Sequence, residues 1–484
     1  MQKRNANKIF NKIKSLKNIT NNSKQVRKGD VFFAISGNNV DGNRFIDDAI
    51  KNGARAIITD NKTIEKKYKK VVEIFLVDSC RDSYAHSCSE YFLRPSLKLE
   101  VCGITGTNGK TSVAHLLKKI WEKDAGLIGT IETSYSNLKI ESSLTTPDSY
   151  DLNKVLKDMC SKKVKKIFME VSSHALAMSR VNYTDFDSCI FTNLTRDHLD
   201  FHKNMTDYFK AKASLFTERL EQSSKKEKFA VINIDNKWGC QLVKAIEKKT
   251  RTITYSLKNK KADFYLESVY KNKNKNTLVV NNNNNKFIVE TELFGKHNFE
   301  NILACCSYSI TKGLDPEDLK SGIKKFRGAP GRLQKVKNTD LEIFIDYAHT
   351  PDALKKSIVS LKDYFNGRKI TVLFGCGGNR DVGKRKKMGL IAEKFADKII
   401  ITSDNPRFED PESIIKDILK GVNKSKKVII NRNDAISWSI KNIRKNEVLL
   451  IAGKGHEDYQ EINGKRLKFS DYREVKKCLR KIDY

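Results

Sequence analysis

Residues 99–104 form an apolar run that opens into Gly103-Ile-Thr-Gly-Thr-Asn-Gly-Lys-Thr111, and a helical pattern follows over residues 113–122. A strand that feeds a glycine-rich loop and then a helix needs a parallel sheet with helices laid on its faces. The glycines let the loop backbone curl so that its N–H groups face a phosphate. The helix N-terminus adds a positive partial charge at the same place. Lys110 would reach terminal phosphates and the Thr111 hydroxyl would hold Mg²⁺. The common phosphate-loop spacing requires a glycine five residues before Gly109, where Ile104 stands. The loop is therefore shorter, with Gly106 as the nearer glycine.

The same alternation of strands and helices recurs along the chain. Its 484 residues suit about three domains of ~150 residues each. An apolar run at 31–36, a Gly/Asn loop at 37–43 and a second run at 54–58 predict a small α/β domain over residues 1–98, with a linker around Pro95. Runs at 166–171, 189–192 and 229–234 extend the sheet of a second domain, 99–330. Near its end, runs at 277–280 and 287–289 flank five asparagines, 281–285, read as a solvated hairpin tip. Gly328-Ala-Pro-Gly-Arg332 punctuates the next junction. Residues 331–484 repeat the pattern with runs at 343–346, 370–374, 398–402, 427–430 and 448–451. Ligands of such sheets sit at the carboxyl edge.

The formal charge of +34, from 92 Lys+Arg against 58 Asp+Glu, favours anionic partners. Lysine is dispersed over the whole chain and no nucleic-acid-reading module is visible, so a specific nucleic-acid role is not expected. The ten cysteines include no C-x-x-C pair and suit a reducing compartment. No run of about 18 apolar residues and no signal-peptide core occurs, which predicts a cytoplasmic chain without membrane insertion.

Three further places carry chemistry. Glu170 lies near the end of a strand and is a plausible oxygen ligand for a hard cation, although by itself an ordinary loop-edge glutamate is the favoured reading. Residues 197–202 hold two Asp and two His; carboxylates favour a hard ion over zinc, and an ordinary capping cluster is the alternative. Lys212, in the helix-like stretch 208–216, reads by itself as a solvated lysine.

Taken together, Thr105-Gly-Thr-Asn-Gly-Lys-Thr111, Glu170-Val-Ser-Ser-His174, Asn193-Leu-Thr-Arg-Asp-His-Leu-Asp200 and Ala211-Lys212 resemble the Mur ligase family. Gly295-Lys-His-Asn-Phe-Glu-Asn301, Gly331-Arg332 and Asp346-Tyr-Ala-His-Thr-Pro-Asp352 extend the resemblance, which runs from about Val26 to about Asp471. It implies three domains: an N-terminal UDP-binding α/β domain, a central P-loop ATPase-like parallel-sheet domain and a C-terminal Rossmann-like domain. It also implies ATP and Mg²⁺, an acyl-phosphate intermediate, a monomer, and a substrate of the UDP-N-acetylmuramoyl-L-alanyl-D-glutamate type. On the ATP side it points to Gly106, Thr107, Asn108, Gly109, Lys110, Thr111, Ser112, Asn298, Asn301, Arg332 and Asp346. It makes Thr111, Glu170, His198 and Lys212 the metal set, with Lys212 carbamylated. Ser23, Asn38, Asn39 and Val40 align with the uridine and diphosphate region, although Asn22-Ser23-Lys24 replaces the more usual Asp-Ser-Arg. Thr145, Thr146, Ser172 and Arg180 match the part that grips sugar and dipeptide.

The pattern is closest to members that add meso-2,6-diaminopimelate, because Asp404-Asn-Pro-Arg407 accompanies that amino acid. Diaminopimelate has a distal carboxylate that lysine lacks, and an arginine can clamp a carboxylate with two parallel bonds. Arg407 would be that clamp, Arg380 a second cation, and Glu457 the acceptor for the distal ammonium, with Asp404, Asn405, Pro406 and Gly453 beside them. The rivals are a lysine-adding member, a folylpolyglutamate synthetase-like ligase, and a non-catalytic UDP-sugar binder.

Overall fold

The structure is a computed structural model that describes residues 18–37, 40–246, 250–272, 275–282, 285–423 and 426–482. Asn38 and Asn39, expected near uridine, lie outside the described residues.

Three α/β units follow one another. The first has a four-stranded parallel sheet in chain order: β1 (Ile19–Thr20), β2 (Val31–Phe33), β3 (Ala56–Thr59) and β4 (Glu73–Leu76). Val31 and Phe33 pack on Tyr84 and Cys88 of one helix, while Phe32 faces Ile46 and Ala49 of another. That alternation is what buries a strand on both faces. The segment around Pro95 is not a loose linker. It forms a 3-10 turn, Pro95–Lys98, whose Ser96 hydroxyl and the preceding Arg94 both reach the Asp185 carboxylate.

The second unit carries β5 (Glu100–Thr105), β6 (Ala125–Ile128), β7 (Glu132–Tyr135), β8 (Leu138–Glu141), β9 (Lys166–Glu170) and β10 (Ser188–Phe191). It continues with β11 (Phe229–Asn233), β12 (Arg251–Ser256), β13 (Phe264–Asn272), β14 (Lys275–Asn282) and β15 (Asn285–Thr291). These eleven strands form one sheet in the order β15-β14-β13-β12-β11-β10-β5-β9-β6-β7-β8. Its core is parallel as expected, but both edges are antiparallel. The reason is local: β7 turns into β8 through Ser136 (φ 49°) and Asn137, and so short a connection can join only antiparallel strands. The hairpin expected at the asparagine run is there, with β14 and β15 paired antiparallel up to Asn282 opposite Asn285, but one asparagine of the run is not at its tip. Asn281 sits inside β14, is buried, and donates to Glu267 rather than to solvent.

The third unit has β16 (Gln334–Lys335), β17 (Glu342–Asp346), β18 (Lys369–Phe374), β19 (Lys398–Ile401), β20 (Lys426–Val428) and β21 (Glu447–Ala452). Their order is β16-β17-β21-β18-β19-β20, parallel apart from β16. A hairpin, β22 (Tyr459–Ile462) and β23 (Lys465–Lys468), stands apart and touches the sheet's carboxyl edge where Arg407 bridges to Ile462. Among the described residues no helix is long and apolar enough to cross a membrane. All ten cysteines are unpaired.

Candidate active site

Strands β10, β5 and β9 are adjacent and in register, so their carboxyl ends at Phe191, Thr105 and Glu170 open side by side. The loop after β5 is shaped by two glycines with positive φ, Gly106 at 144° and Gly109 at 92°. A Cβ on Gly106 would lie 2.0 Å from the Thr192 hydroxyl, and one on Gly109 would lie 2.5 Å from Asn301 Oδ1. The loop is also tied to the strand beside it. Thr107 N donates to Asn193 O at 2.9 Å, Asn108 N to Asn193 Oδ1 at 3.0 Å, and the Thr192 hydroxyl to Asn108 O at 2.6 Å. The helix Lys110–Ile120 starts at Gly109 and anchors the loop with Val113, Leu116 and Leu117 in the core, leaving the N–H groups of Lys110, Thr111 and Ser112 at its open end.

Two lysines converge on one carbonyl. Lys110 Nζ donates to Gly106 O at 2.9 Å and to Thr107 O at 3.0 Å, and Lys212 Nζ donates to the same Gly106 O at 2.9 Å. Lys212 is only 1% exposed, against the sequence reading of it as solvated. It lies one turn after Tyr208 on the inward face of the helix Met205–Ser214, with its ammonium 4.8 Å from the Tyr208 ring centre. Among the described residues it has no carboxylate ion-pair partner. Burial, and then the neighbouring Lys110 charge, hold it well below the ordinary lysine range.

Glu170 is fully buried. Its carboxylate accepts from the Thr111 hydroxyl at 2.9 Å, from Thr130 N at 2.8 Å and from the Thr130 hydroxyl at 3.1 Å. Among the described residues no Lys or Arg pairs with it. His198 sits beside Asp197 (Nε2–Oδ2 3.4 Å) with a left-handed backbone, φ 53°, which is strain of the kind found at working sites. Burial pushes its imidazole down to about 3, helped by the Lys212, His174 and Lys110 charges and opposed by Asp197, so the ring is neutral at ordinary pH. The rest of the Asp/His cluster is divided differently. His202 bonds the Ser173 hydroxyl at 2.9 Å, and Asp200 lies 3.8 Å from Arg380. Among the described residues no three His, Cys, Asp or Glu side chains are grouped as metal ligands.

The carboxyl edge of the third unit faces this loop. Arg332 Nη2 donates to the Thr111 hydroxyl at 3.1 Å and its guanidinium lies 4.4 Å from the Tyr347 ring centre. Asn108 Nδ2 reaches Asp352 at 3.1 Å. Asn298 turns its amide to Phe294 O at 2.8 Å. Asp346 is buried, which raises its carboxyl, and it takes hydrogen bonds from Ser357 and from Leu333 N.

Behind these, four loops build a second cluster. Arg407 (φ 55°) donates from Nη1 to Gly378 O at 2.7 Å and pairs through Nε with Glu461 at 3.2 Å. Glu457 accepts at 2.9 Å from both Asn405 Nδ2 and Lys454 Nζ. Gly453 passes so close to Asp404 that a Cβ would lie 2.4 Å from its carboxylate. Burial would raise the Asp404 carboxyl, but the Lys454 and Arg432 charges and the Asn405 N–H outweigh it and hold it low. Pro406 lends its carbonyl to the close approach of Gly378.

One cleft of about 800 Å³ is lined by Lys110, Thr111, Glu170, His198, Arg407 and Glu457 alike. It also reaches Thr145, Ser172 and Arg180, while Thr146 is buried beneath, its hydroxyl donating to Glu170 O and its carbonyl accepting from Arg180. Ser23 and Val40 are not on its wall; Ser23 is buried in the first unit and Val40 is exposed. Eight Lys and Arg against ten Asp and Glu line the cleft, so the net charge of the chain is not concentrated there. Sequence reasoning missed Thr130, Asn193, Lys454 and the buried Arg432–Asp471 pair. Asn193 opens one of the motifs quoted above, and Lys454 lies in Gly453-Lys-Gly-His-Glu457 between two residues already singled out; the others had no such signal.

Comparison with known proteins agrees with this architecture. Family models for the Mur ligase family catalytic domain, the Mur ligase middle domain and the Mur ligase glutamate ligase domain match residues 15–89, 104–308 and 331–455. A UDP-N-acetylmuramoyl-L-alanyl-D-glutamate--2,6-diaminopimelate ligase from Aquifex aeolicus is 40% identical over 472 residues, 96% of this chain and 94% of that one. The chain belongs to the Mur ligase family. A ligase of the same description from Clostridium tetani is 38% identical to this Mur ligase, covering 96% of this chain and 95% of the other. A solved structure of such a 2,6-diaminopimelate ligase superposes with a TM-score of 0.68 at 31% identity, over 96% and 95% of the two chains. MurF ligase from Thermotoga maritima, solved in complex with ADP, shares the fold at a TM-score of 0.63 and 21% identity, over 96% and 97%.

Proposed function

We propose that this Mur ligase joins meso-2,6-diaminopimelate to UDP-N-acetylmuramoyl-L-alanyl-D-glutamate at the expense of ATP, giving a UDP-linked tripeptide, ADP and phosphate for bacterial cell-wall synthesis. The observation that carries the reading is the shared cleft. The phosphate loop and the Asp404–Arg407 stretch line the same cavity, in a chain similar along its whole length to 2,6-diaminopimelate ligases.

The units divide the work. Residues 1–98 would hold the UDP end through Ser23, Asn38, Asn39 and Val40. Residues 99–330 would hold ATP and the muramyl-dipeptide, and residues 331–484 the incoming amino acid. The glutamate carboxylate attacks the terminal phosphorus of ATP and ADP leaves. The amine then attacks the acyl phosphate, and phosphate leaves from the tetrahedral intermediate. Anionic groups must meet in both steps, and Lys110, Arg332 and the N–H groups of Gly109 to Ser112 offset their repulsion. Gly106, Thr107 and Asn108 shape that cradle, with Asn298, Asn301 and Asp346 on its far side. Thr145, Thr146, Ser172 and Arg180 position the sugar and dipeptide.

Glu170 supports a Mg²⁺ assignment, because it is a buried carboxylate with no Lys or Arg paired to it among the described residues, and such a group suits a hard cation. Thr111, Glu170 and neutral His198 would hold the ion. Lys212 would complete the set as a carbamate: its buried amine, once deprotonated, adds to CO₂ with release of one proton, which turns a cation into a carboxylate-like ligand. When bound, Mg²⁺ would neutralise charge on the transferring phosphoryl group. At the far end Arg407 and Arg380 would take the distal carboxylate, and Glu457 the distal ammonium, with Asp404, Asn405, Pro406 and Gly453 fixing the loop around them. The enzyme would work as a monomer in the cytoplasm, where its nucleotide substrates are found.

The test is a reaction with ATP, Mg²⁺, the UDP-muramyl-dipeptide and one amino acid at a time, read by mass spectrometry. A UDP-tripeptide carrying diaminopimelate, with ADP and phosphate in equal amounts, is expected. Product with L-lysine in its place would keep the ligase and overturn the amino acid.

A further inference from the structure

Lys454 is a fully buried lysine in the loop after β21. Its Nζ donates at 2.9 Å to Asn405 Oδ1 and at 2.9 Å to Glu457 Oε2, and lies 5.4 Å from the Tyr459 ring centre. Asn405 and Glu457 border the cleft, whereas Lys454 stands behind them. Asn405 is pinned from three sides, since its Oδ1 also accepts from Glu461 N at 2.9 Å and its Nδ2 donates to the same Glu457 Oε2. One oxygen of Glu457 is thus filled by two donors, while Oε1 meets only the Tyr347 hydroxyl, at 3.4 Å, among the described residues. That leaves Oε1 as the oxygen open to a cationic guest.

We propose that Lys454 is a positioning residue for the incoming amino acid, holding Asn405 and Glu457 so that the Glu457 carboxylate is turned towards a substrate ammonium. This rests on the diaminopimelate reading given above. The groups facing Glu457 are Lys454, Asp404, Asn405, Tyr347, Tyr459 and, further off, Arg432. Lys454 is the only cation among them in contact with the carboxylate. Burial already raises the Glu457 carboxyl against the opposing Lys454 charge, and without that lysine burial and the Asp404 charge raise it further, so it takes up a proton at still higher pH. A neutral acid no longer attracts an ammonium.

The test is steady-state kinetics of Lys454→Met across a pH series. The KM for diaminopimelate should rise roughly 10- to 100-fold near neutral pH, the worth of a charge-assisted bond. The KM for ATP should stay within about twofold, and kcat should change far less than the KM for diaminopimelate. The KM penalty should shrink as pH rises and Glu457 ionises. In a Glu457→Gln background, adding Lys454→Met should change little, because the two act as one unit. If the Met variant does not fold, Lys454→Gln carries the same expectation, since its amide can still donate to Asn405. An unchanged KM for diaminopimelate, or a full further loss in the Glu457→Gln background, would overturn the role. Wild-type enzyme that ignores diaminopimelate would instead overturn the functional reading beneath it.

Discussion

The phosphate side and the amino-acid side of the cleft are built in opposite ways. The phosphate loop is one contiguous segment held by backbone groups: Gly106 and Gly109 at positive φ, and amides and carbonyls shared with Thr192 and Asn193. The amino-acid side is assembled from four loops, and buried charge holds it. Arg432 is fully buried, paired bidentately with Asp471 (2.7 and 2.8 Å), and it also donates to Ser403 O and Ala452 O, the chain just before Asp404 and Gly453. A cradle of backbone N–H groups suits any phosphate and carries no information about the acceptor. Four converging loops can be tuned to one amino acid. On the function proposed above, the first arrangement would supply the reaction and the second its selectivity.

The sharpest break should come on the phosphate side. Lys110→Met should cut turnover about 10³-fold or more with any amino acid, because it removes charge from the transferring phosphoryl group. An equally large loss confined to diaminopimelate would erase the division between the two sides. Lys212→Ala should be nearly as severe. If a carbamate is what is lost, added short carboxylates should restore part of the rate, and a variant indifferent to them would point to a structural lysine.

On the amino-acid side the frame itself can be removed. Arg432→Met strands the Asp471 carboxylate, and breaking such a buried pair costs about 3–5 kcal/mol, readable in a denaturant titration. A loss below about 1 kcal/mol would mean that the loops do not depend on it.

The smallest effect is a pH dependence common to both sides. Burial lowers His115, His297 and His349 to about 4, and His456 to about 3, from the usual 6.5. The unfolded chain therefore takes up protons first as pH falls. Stability should be complete above about 6.5 and decline from there towards 4, seen as a falling Tm, whereas a Tm flat over that window would show that these rings are solvated.

The contrast also explains what the sequence disclosed. Gly106 to Ser112 could be read directly because strand, loop and helix are consecutive and each glycine has a local reason. Arg407 was visible as part of a four-residue motif, but its partners Glu461 and Gly378 come from other loops. Composition and spacing alone make Lys212 a solvated lysine and only the family resemblance singles it out, because what buries it is tertiary packing that places it one turn beyond Tyr208 and against Gly106 O. Arg432 and Asp471, 39 residues apart, left no local pattern at all. The antiparallel edge at β8 is hidden for a related reason: β8 is exposed along its length and has no apolar run to announce it, whereas the hairpin at the other edge is flanked by two such runs.

The most direct measurement is the ratio of kcat/KM for meso-diaminopimelate to that for L-lysine, in the wild type and in Arg407→Ala. A wild-type ratio above about 10³, falling by about 100-fold in the variant with the KM for ATP unchanged, is expected if the distal carboxylate is read at Arg407. A ratio near unity in the wild type, or one that Arg407→Ala leaves intact, would contradict the assignment of selectivity to this side of the cleft.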